Sequence, residues 1–210
     1  MTAKDDILNR IRSANEQANA DSIKVSDIAR NLISYDAQEL LTLFIKRLEA
    51  YGVVVHQDTE DDIGKVIIDR ISELKKTDII IPEGLSINFP ESKINFIRDN
   101  KCSTEVLDNS DGIVSRCAFG IAETGSIVLD GSEDQGRRAI SLVPDWHMCV
   151  IRQDQILPNV STCMAMLKPA AMRGSPITFI SGPSATADIE FQRVQGVHGP
   201  RNLEVLITTN

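Results

Sequence analysis

Two short polar stretches carry the residue types most capable of chemistry. The first is Glu123-Thr124-Gly125-Ser126, in which a carboxylate, two hydroxyls and a glycine fall within four positions. The second runs from Ser181 through Gly182, Ser184, Thr186 and Asp188 to a Gly/Pro-shaped loop, G-V-H-G-P-R, bearing His198 and Arg201. Small hydroxylated residues and glycine let backbone N–H groups approach a ligand closely, and the first N–H groups of a helix can be satisfied by an anion. Thr124, Gly125, Ser126, Ser181, Gly182, Ser184, Thr186, Asp188 and Arg201 are therefore candidate ligand-binding residues for a small anion. Glu123 and His198 are candidate catalytic residues: Glu123 as a base or nucleophile before a turn that could bind a developing anion, His198 as a base for a hydroxyl proton. The same composition also fits an ordinary strand-to-helix connection followed by a surface loop.

Other chemistry is less well supplied. Arg137-Arg138 beside Gly131 and Gly136 could bind an anion through charge-assisted hydrogen bonds, or be solvated surface. His147 stands at a strand entrance, where it could titrate near neutrality or serve as a structural hydrogen-bonding group. Cys102, Cys117, Cys149 and Cys163 are scattered, with no CxxC pair, so they read as packing residues and no metal site is expected. No Gly-x-Gly-x-x-Gly run is present to hold a dinucleotide, so no cofactor is expected in this chain.

The elements that must position these groups follow from periodicity. Ile7, Leu8 and Ile11 predict an amphipathic helix over Asp5–Ala14, followed by a polar linker. Leu40, Leu41, Phe44, Ile45 and Leu48 predict a helix from Asp36 to Tyr51, stopped by Gly52. A strand at Val53–Val55, a helix through Ile63, Val66, Ile67, Ile71 and Leu74, and a strand at Asp78–Ile81 continue the rhythm. Further strands are expected at Ile94–Ile97, Ile127–Leu129, Ala139–Val143, Met148–Ile151, Ile177–Ile180 and Leu203–Thr208. Another helix is expected over Ile156–Leu167, with a helix start after Ser184. Near-continuous apolar strands alternating with helices predict an α/β fold, a mainly parallel sheet flanked by helices, with an N-terminal helical extension. The division is residues 1–35, helix and linker, and 36–210, the α/β domain.

Composition bounds the function. The 210 residues are 42% hydrophobic, 25% charged and only 4% aromatic, so the core is built from Ile, Leu, Val and Ala. A net charge of −8 argues against nucleic-acid binding driven by overall charge. No apolar run approaches the roughly 20 residues of a membrane span, and the N-terminus is charged rather than signal-like, so a cytoplasmic location is expected.

Four motifs in order carry a family resemblance: A-E-T-G-S-I-V-L from Ala122, P-D-W-H-M-C-V-I from Pro144, S-G-P-S-A-T-A-D-I-E from Ser181 and G-V-H-G-P-R from Gly196. Together they resemble the LUD domain family, in its short lactate-utilisation protein C branch, over roughly residues 36–208. The resemblance implies a fold similar to the sugar-phosphate isomerase and CoA-transferase superfamily. It also implies participation in oxidation of L-lactate to pyruvate with two partner subunits that contain iron–sulfur clusters. Ala185 stands where many relatives have a basic residue, which would shift neutralisation of an anion to Arg201, Arg137 or Arg138. The expected ligand pocket lies at the carboxyl ends of the strands, with the two Ser/Thr/Gly turns as its walls and His198 and Arg201 as its cap. Two other readings remain: a stand-alone transferase or ligase acting on a phosphate-bearing or CoA-linked substrate through Glu123, and a scaffold that docks through its N-terminal helix.

Overall fold

The computed structural model describes residues 3–17, 35–187, 193–195 and 199–209. By its internal contacts the chain divides between Ser34 and Tyr35. The first unit contributes helix α1 (Ala3–Gln17), with Asp6 and Arg10 one turn apart on it.

In the second unit, Asp36 starts helix α2 (Ala37–Ala50) with a reciprocal cap: its carboxylate accepts from Glu39 N at 2.7 Å, and Glu39 Oε2 accepts from Asp36 N at 3.0 Å. Then come β1 (Val54–Thr59), α3 (Ile63–Glu73), β2 (Asp78–Pro82), β3 (Asn95–Asp99), α4 (Thr104–Asp108) and β4 (Gly112–Arg116). Two short strands, β5 (Phe119–Ile121) and β6 (Ser126–Leu129), precede the long β7 (Trp146–Arg152). The chain continues through β8 (Ile156–Leu157), α5 (Val160–Met172), β9 (Thr178–Ile180), β10 (Ala185–Ala187), β11 (Arg193–Gln195) and β12 (Asn202–Thr209).

Six strands form one wholly parallel sheet in the order β1-β12-β7-β4-β2-β3. Alternation sorts its side chains. Ile79, Ile81, Trp146, Met148, Val150 and Leu206 pack with Ile63, Ile67 and Ile71 of α3. On the opposite face, Cys149, Ile151, Leu203, Val205 and Ile207 meet Leu41, Phe44 and Leu48 of α2. Ile80 and Ile113 on that face meet Leu107 of α4. Burial on both faces is why these strands read as unbroken apolar runs. The second face is not covered by helices alone: a four-stranded sheet, β8-β5-β6-β9, shares the core with α2 through Ala122, Ile127, Leu129 and Ile156.

Three expected elements differ. Ala139–Val143 is not a strand; Arg138–Ser141 forms a 3-10 turn, its N–H groups bonding locally, Ile140 N to Arg137 O and Leu142 N to Ala139 O. The apolar pattern there reflects one buried apolar side chain, Ile140, under the turn. The helix expected from Ile156 begins at Val160 because Asn159 caps it, accepting from Thr162 N at 2.9 Å, while Ile156–Leu157 pairs with β5. Directly after Ser184 the chain is extended rather than helical: β10 and β11 form an antiparallel pair, Thr186 opposite Val194, while Asp188 to Gln192 of the expected helix lie outside the described residues. Among the described residues no helix is long and apolar enough to cross a membrane.

Candidate functional site

The two polar turns meet. Antiparallel pairing of β6 with β9 sets Ile127 opposite Ile180, which brings Ser126 beside Ser181. Their Oγ atoms lie 2.6 Å apart, and Thr124 Oγ1 donates to Ser126 Oγ at 2.8 Å. Gly125 and Gly182 both have positive φ, +62° and +91°, and both press against the last turn of α2. A Cβ on Gly125 would lie 2.6 Å from Arg47 Cβ, and one on Gly182 would lie 2.7 Å from Tyr51 Cβ. The hydroxyls and glycines of this cluster thus clasp two turns to each other and to a helix. Glu123 projects from it exposed, its backbone N–H bonded to Pro158 O.

The clasp lies at the amino ends of the parallel strands, not at the carboxyl ends expected from sequence. Gln153, just past β7, reaches Ala37 at the start of α2, whereas the end of α2 feeds through Gly52 into the start of β1. The extended stretch Ala185–Ala187 also leaves no helix N-terminus directly after Ser184 for an anion. In its place is a cavity of about 370 Å³ between β9 and the 3-10 turn, lined by Ser141, Leu142, Ser181, Gly182, Ser184 and Gly199. Ser184 N donates to Pro200 O at 2.8 Å and fixes its floor. Glu123, Thr124, Gly125 and Ser126 do not line it. Thr186 lies on β10, and Asp188 and His198 are outside the described residues.

Arg201 lines a different, adjoining crevice of about 320 Å³, with Arg70, Lys76, Trp146, Asn202 and Glu204. Three cationic side chains border this space. Glu204, almost fully buried, accepts from His56 Nε2 (2.6 Å), Arg70 Nε (2.8 Å) and Nη2 (3.1 Å), and Trp146 Nε1 (2.9 Å). Burial alone would raise its pKa, but the donors from His56, Arg70 and Trp146 and the Arg70 charge outweigh burial and hold it at about 2. Lys76 Nζ donates to Asp111 O at 2.9 Å and sits 5.7 Å from the Trp146 ring centroid. Arg201 is half-exposed, with Asp145 at 3.5 Å, a separation too long for a strong bond.

Of the remaining sequence candidates, Arg138 is exposed, and Arg137 and His147 have structural partners. Arg137 donates through Nε and Nη2 to both oxygens of Asp99 (2.7 and 2.9 Å) and to Cys102 O (2.6 Å), locking the carboxyl ends of β3 and the following loop. His147 is fully buried rather than poised at an entrance; its Nε2 is 2.8 Å from Ser115 Oγ, and burial lowers its pKa to about 4. Its Nδ1 has no partner among the described residues. Cys117, Cys149 and Cys163 are buried, and burial raises the Cys117 thiol well above its usual range. Among the described residues no group of three or more His, Cys, Asp or Glu side chains could hold a metal ion.

Sequence reasoning missed a second polar cluster at the carboxyl ends of the strands. Arg116 ends β4 and donates to Glu60 Oε1 at 2.5 Å; Thr208 near the end of β12 donates to Glu60 Oε2 at 2.5 Å. Arg152 ends β7, and Asp134 is tied to the tip of β4 through Arg116 N to Asp134 O. Each is a polar residue terminating or following an apolar run, a signal of strand-end placement that no fixed spacing announces.

The LUD domain model matches residues 33–208. "Lactate utilization protein C" of Deinococcus radiodurans is 38% identical over 170 residues, 80% of this chain and 79% of that protein. "Uncharacterized protein YkgG" of Escherichia coli K12 is 41% identical over 93 residues, 42% of this chain and 40% of that one. The crystal structure of a DUF162 family protein from Deinococcus radiodurans superposes with a TM-score of 0.73 at 31% identity, covering 84% of this chain and all of the other. With the family model spanning all but the last two residues of the α/β unit, the chain belongs to the LUD domain family.

Proposed function

We propose that this protein serves lactate utilisation in the cytosol, as the subunit of an L-lactate-oxidising system that holds a small carboxylate while two partner subunits carry the iron–sulfur clusters. The name of the Deinococcus radiodurans relative, matched over most of both chains, supports the metabolic assignment. The observation that carries the ligand assignment is the convergence of Arg70, Lys76 and Arg201 on one crevice in a chain of net charge −8.

Within that crevice the cations are not equivalent. Arg70 is committed to Glu204 and Glu73, whereas among the described residues Arg201 has only the loose Asp145 contact and Lys76 has no carboxylate bound to its ammonium. A ligand carboxylate placed between Arg201 and Lys76 replaces that loose contact at little cost, and Trp146, Val54 and Leu74 offer its carbon skeleton an apolar wall. Because Glu204 is saturated with donors, it does not compete for them. The Ser-lined cavity adjoins this crevice through Pro200-Arg201. A transferase working through Glu123 gains no support from geometry: among the described residues no side chain bonds to its exposed carboxylate.

Titration calorimetry with L-lactate and pyruvate tests the assignment. Saturable binding should weaken about tenfold in Arg201→Ala and in Lys76→Met. Absent heats with both acids, or equal affinities in wild type and variants, would count against the crevice. Co-purification with iron–sulfur proteins tests the partner assignment separately.

A further inference from the structure

A cavity of about 470 Å³ opens at the carboxyl ends of β4 and β7, the two central strands, far along the sheet from Arg201. One wall is apolar: Phe119 on β5 and Met166 and Pro169 on α5. Its charged lining is Arg152, Asp134 and Arg173, the last at the end of the same helix as Met166 and Pro169. The other polar side chains around it are already engaged. Gln155 Nε2 donates to Cys117 O and Ala118 O, Gln135 Oε1 accepts from Asp130 N, and Asp130 accepts from Ser132. Asp134 differs: it is partly buried, and among the described residues no other side chain donates to its carboxylate.

We propose that this crevice binds a small organic anion with a short apolar tail, its charged end on Arg152 and Arg173 and its tail on Phe119, Met166 and Pro169, with occupancy linked to proton uptake by Asp134. Arg152 is available because its present partner, Asp154, is an exposed pair worth little. Arg173 caps the end of α5 and has no carboxylate partner among the described residues. The charges acting on Asp134 are Arg116 and Arg152 from the strand tips and Asp130 from the loop after β6, and Arg173 from the end of α5 and Asp154 from the turn after β7 line the same cavity. Burial raises the pKa of Asp134 and Asp130 adds to that, while its own backbone N–H, Arg116 and Arg152 oppose it. An arriving anion adds one more negative charge beside the carboxylate, so it favours the protonated form, which repels nothing and can donate a hydrogen bond. By contrast, nearby Glu60 is lowered, because the Thr208 and Arg116 bonds outweigh its burial. The two carboxyl groups at these strand tips are therefore pushed in opposite directions, an arrangement suited to moving a proton.

Amide NMR titration of the full chain with sodium butane-1-sulfonate, which stays anionic between pH 8 and pH 4.5, reads this directly. Butane-1-sulfonate should produce saturable shifts at Phe119, Asp134, Gln155 and Met166, and n-butanol should not. Affinity should tighten about tenfold as pH falls. Arg173→Ala and Arg152→Ala should each weaken binding several-fold, and Asp134→Asn should bind with no pH dependence across this range. Arg201→Ala should leave these shifts unchanged, which separates this site from the amino-end crevice. Unsaturable shifts, equal response to n-butanol, or a pH dependence that persists in Asp134→Asn would overturn the proposal.

Discussion

Ser126 Oγ and Ser181 Oγ lie 2.6 Å apart although 55 residues separate them in the chain. This single bond joins the turn after β5 to the end of β9, and Thr124 extends it by one more hydroxyl. A double-mutant cycle in urea checks its worth. Ser126→Ala and Ser181→Ala should each cost about 1 kcal/mol, and the double variant clearly less than their sum. Strict additivity would mean that the two hydroxyls do not support each other.

The glycines beside them should be more sensitive. Gly174 also has positive φ, +72°, but nothing lies within 4 Å of a Cβ built there, so Gly174→Ala isolates the backbone penalty at about 1 kcal/mol. Gly125→Ala and Gly182→Ala add a collision with Arg47 or Tyr51 and should cost about 2 kcal/mol more. Denaturation midpoints for the three variants decide this. Equal losses would show that α2 shifts to make room.

Acid should weaken the fold through His147. Folded, it stays neutral down to about pH 4; unfolded, it takes up a proton near pH 6.5. The unfolded chain therefore binds the extra proton between those values, and stability falls as pH drops through that window, by at most about 1.4 kcal/mol per pH unit. In His147→Gln the slope between pH 6.5 and 4 should flatten, whatever the variant's stability at neutral pH. An unchanged slope would assign acid sensitivity to other groups.

Glu204 acts over a lower range. Its folded pKa of about 2 lies below the ordinary carboxylate value, so its contribution is complete above about pH 4.5 and is lost as pH falls toward 2. Glu204→Gln leaves Arg70 without its buried partner and should cost about 3 to 5 kcal/mol. Trp146 is the chain's one tryptophan, and its Nε1 donates to Glu204, so its emission should shift in this variant. A variant of native stability with unaltered emission would remove the network from the list of structural determinants.

Much of the main sheet could be read from sequence because burial on both faces writes itself as Ile79-Ile80-Ile81 or Cys149-Val150-Ile151. Helix α2 announced itself through Leu41, Phe44 and Leu48 behind the Asp36 and Glu39 cap. Ala139–Val143 misled because an apolar run of five does not distinguish a strand from a turn with one buried Ile. The stretch directly after Ser184 misled because Ser and Thr favour helix starts and extended turns alike. At the candidate site, the meeting of the Thr124 and Ser181 turns was expected from the two Ser/Thr/Gly stretches as facing walls of one pocket, but they clasp each other instead of enclosing a ligand space. The separation of Arg201 from them was not, since it depends on the chain entering β12 between two cavities. Arg116, Glu60, Asp134 and Arg152 come from separate strand tips and loops and share no local pattern.

The neighbour of β1 in the sheet is β12, and their contacts include His56 with Glu204, 148 residues away. During synthesis, β1 thus leaves the ribosome long before its hydrogen-bonding partner exists. Its open side must wait, guarded only by α2 and α3, and a slow closing step governed by chain entropy follows. Chaperone demand should accordingly concentrate on nascent chains that have passed β7 but not yet delivered β12.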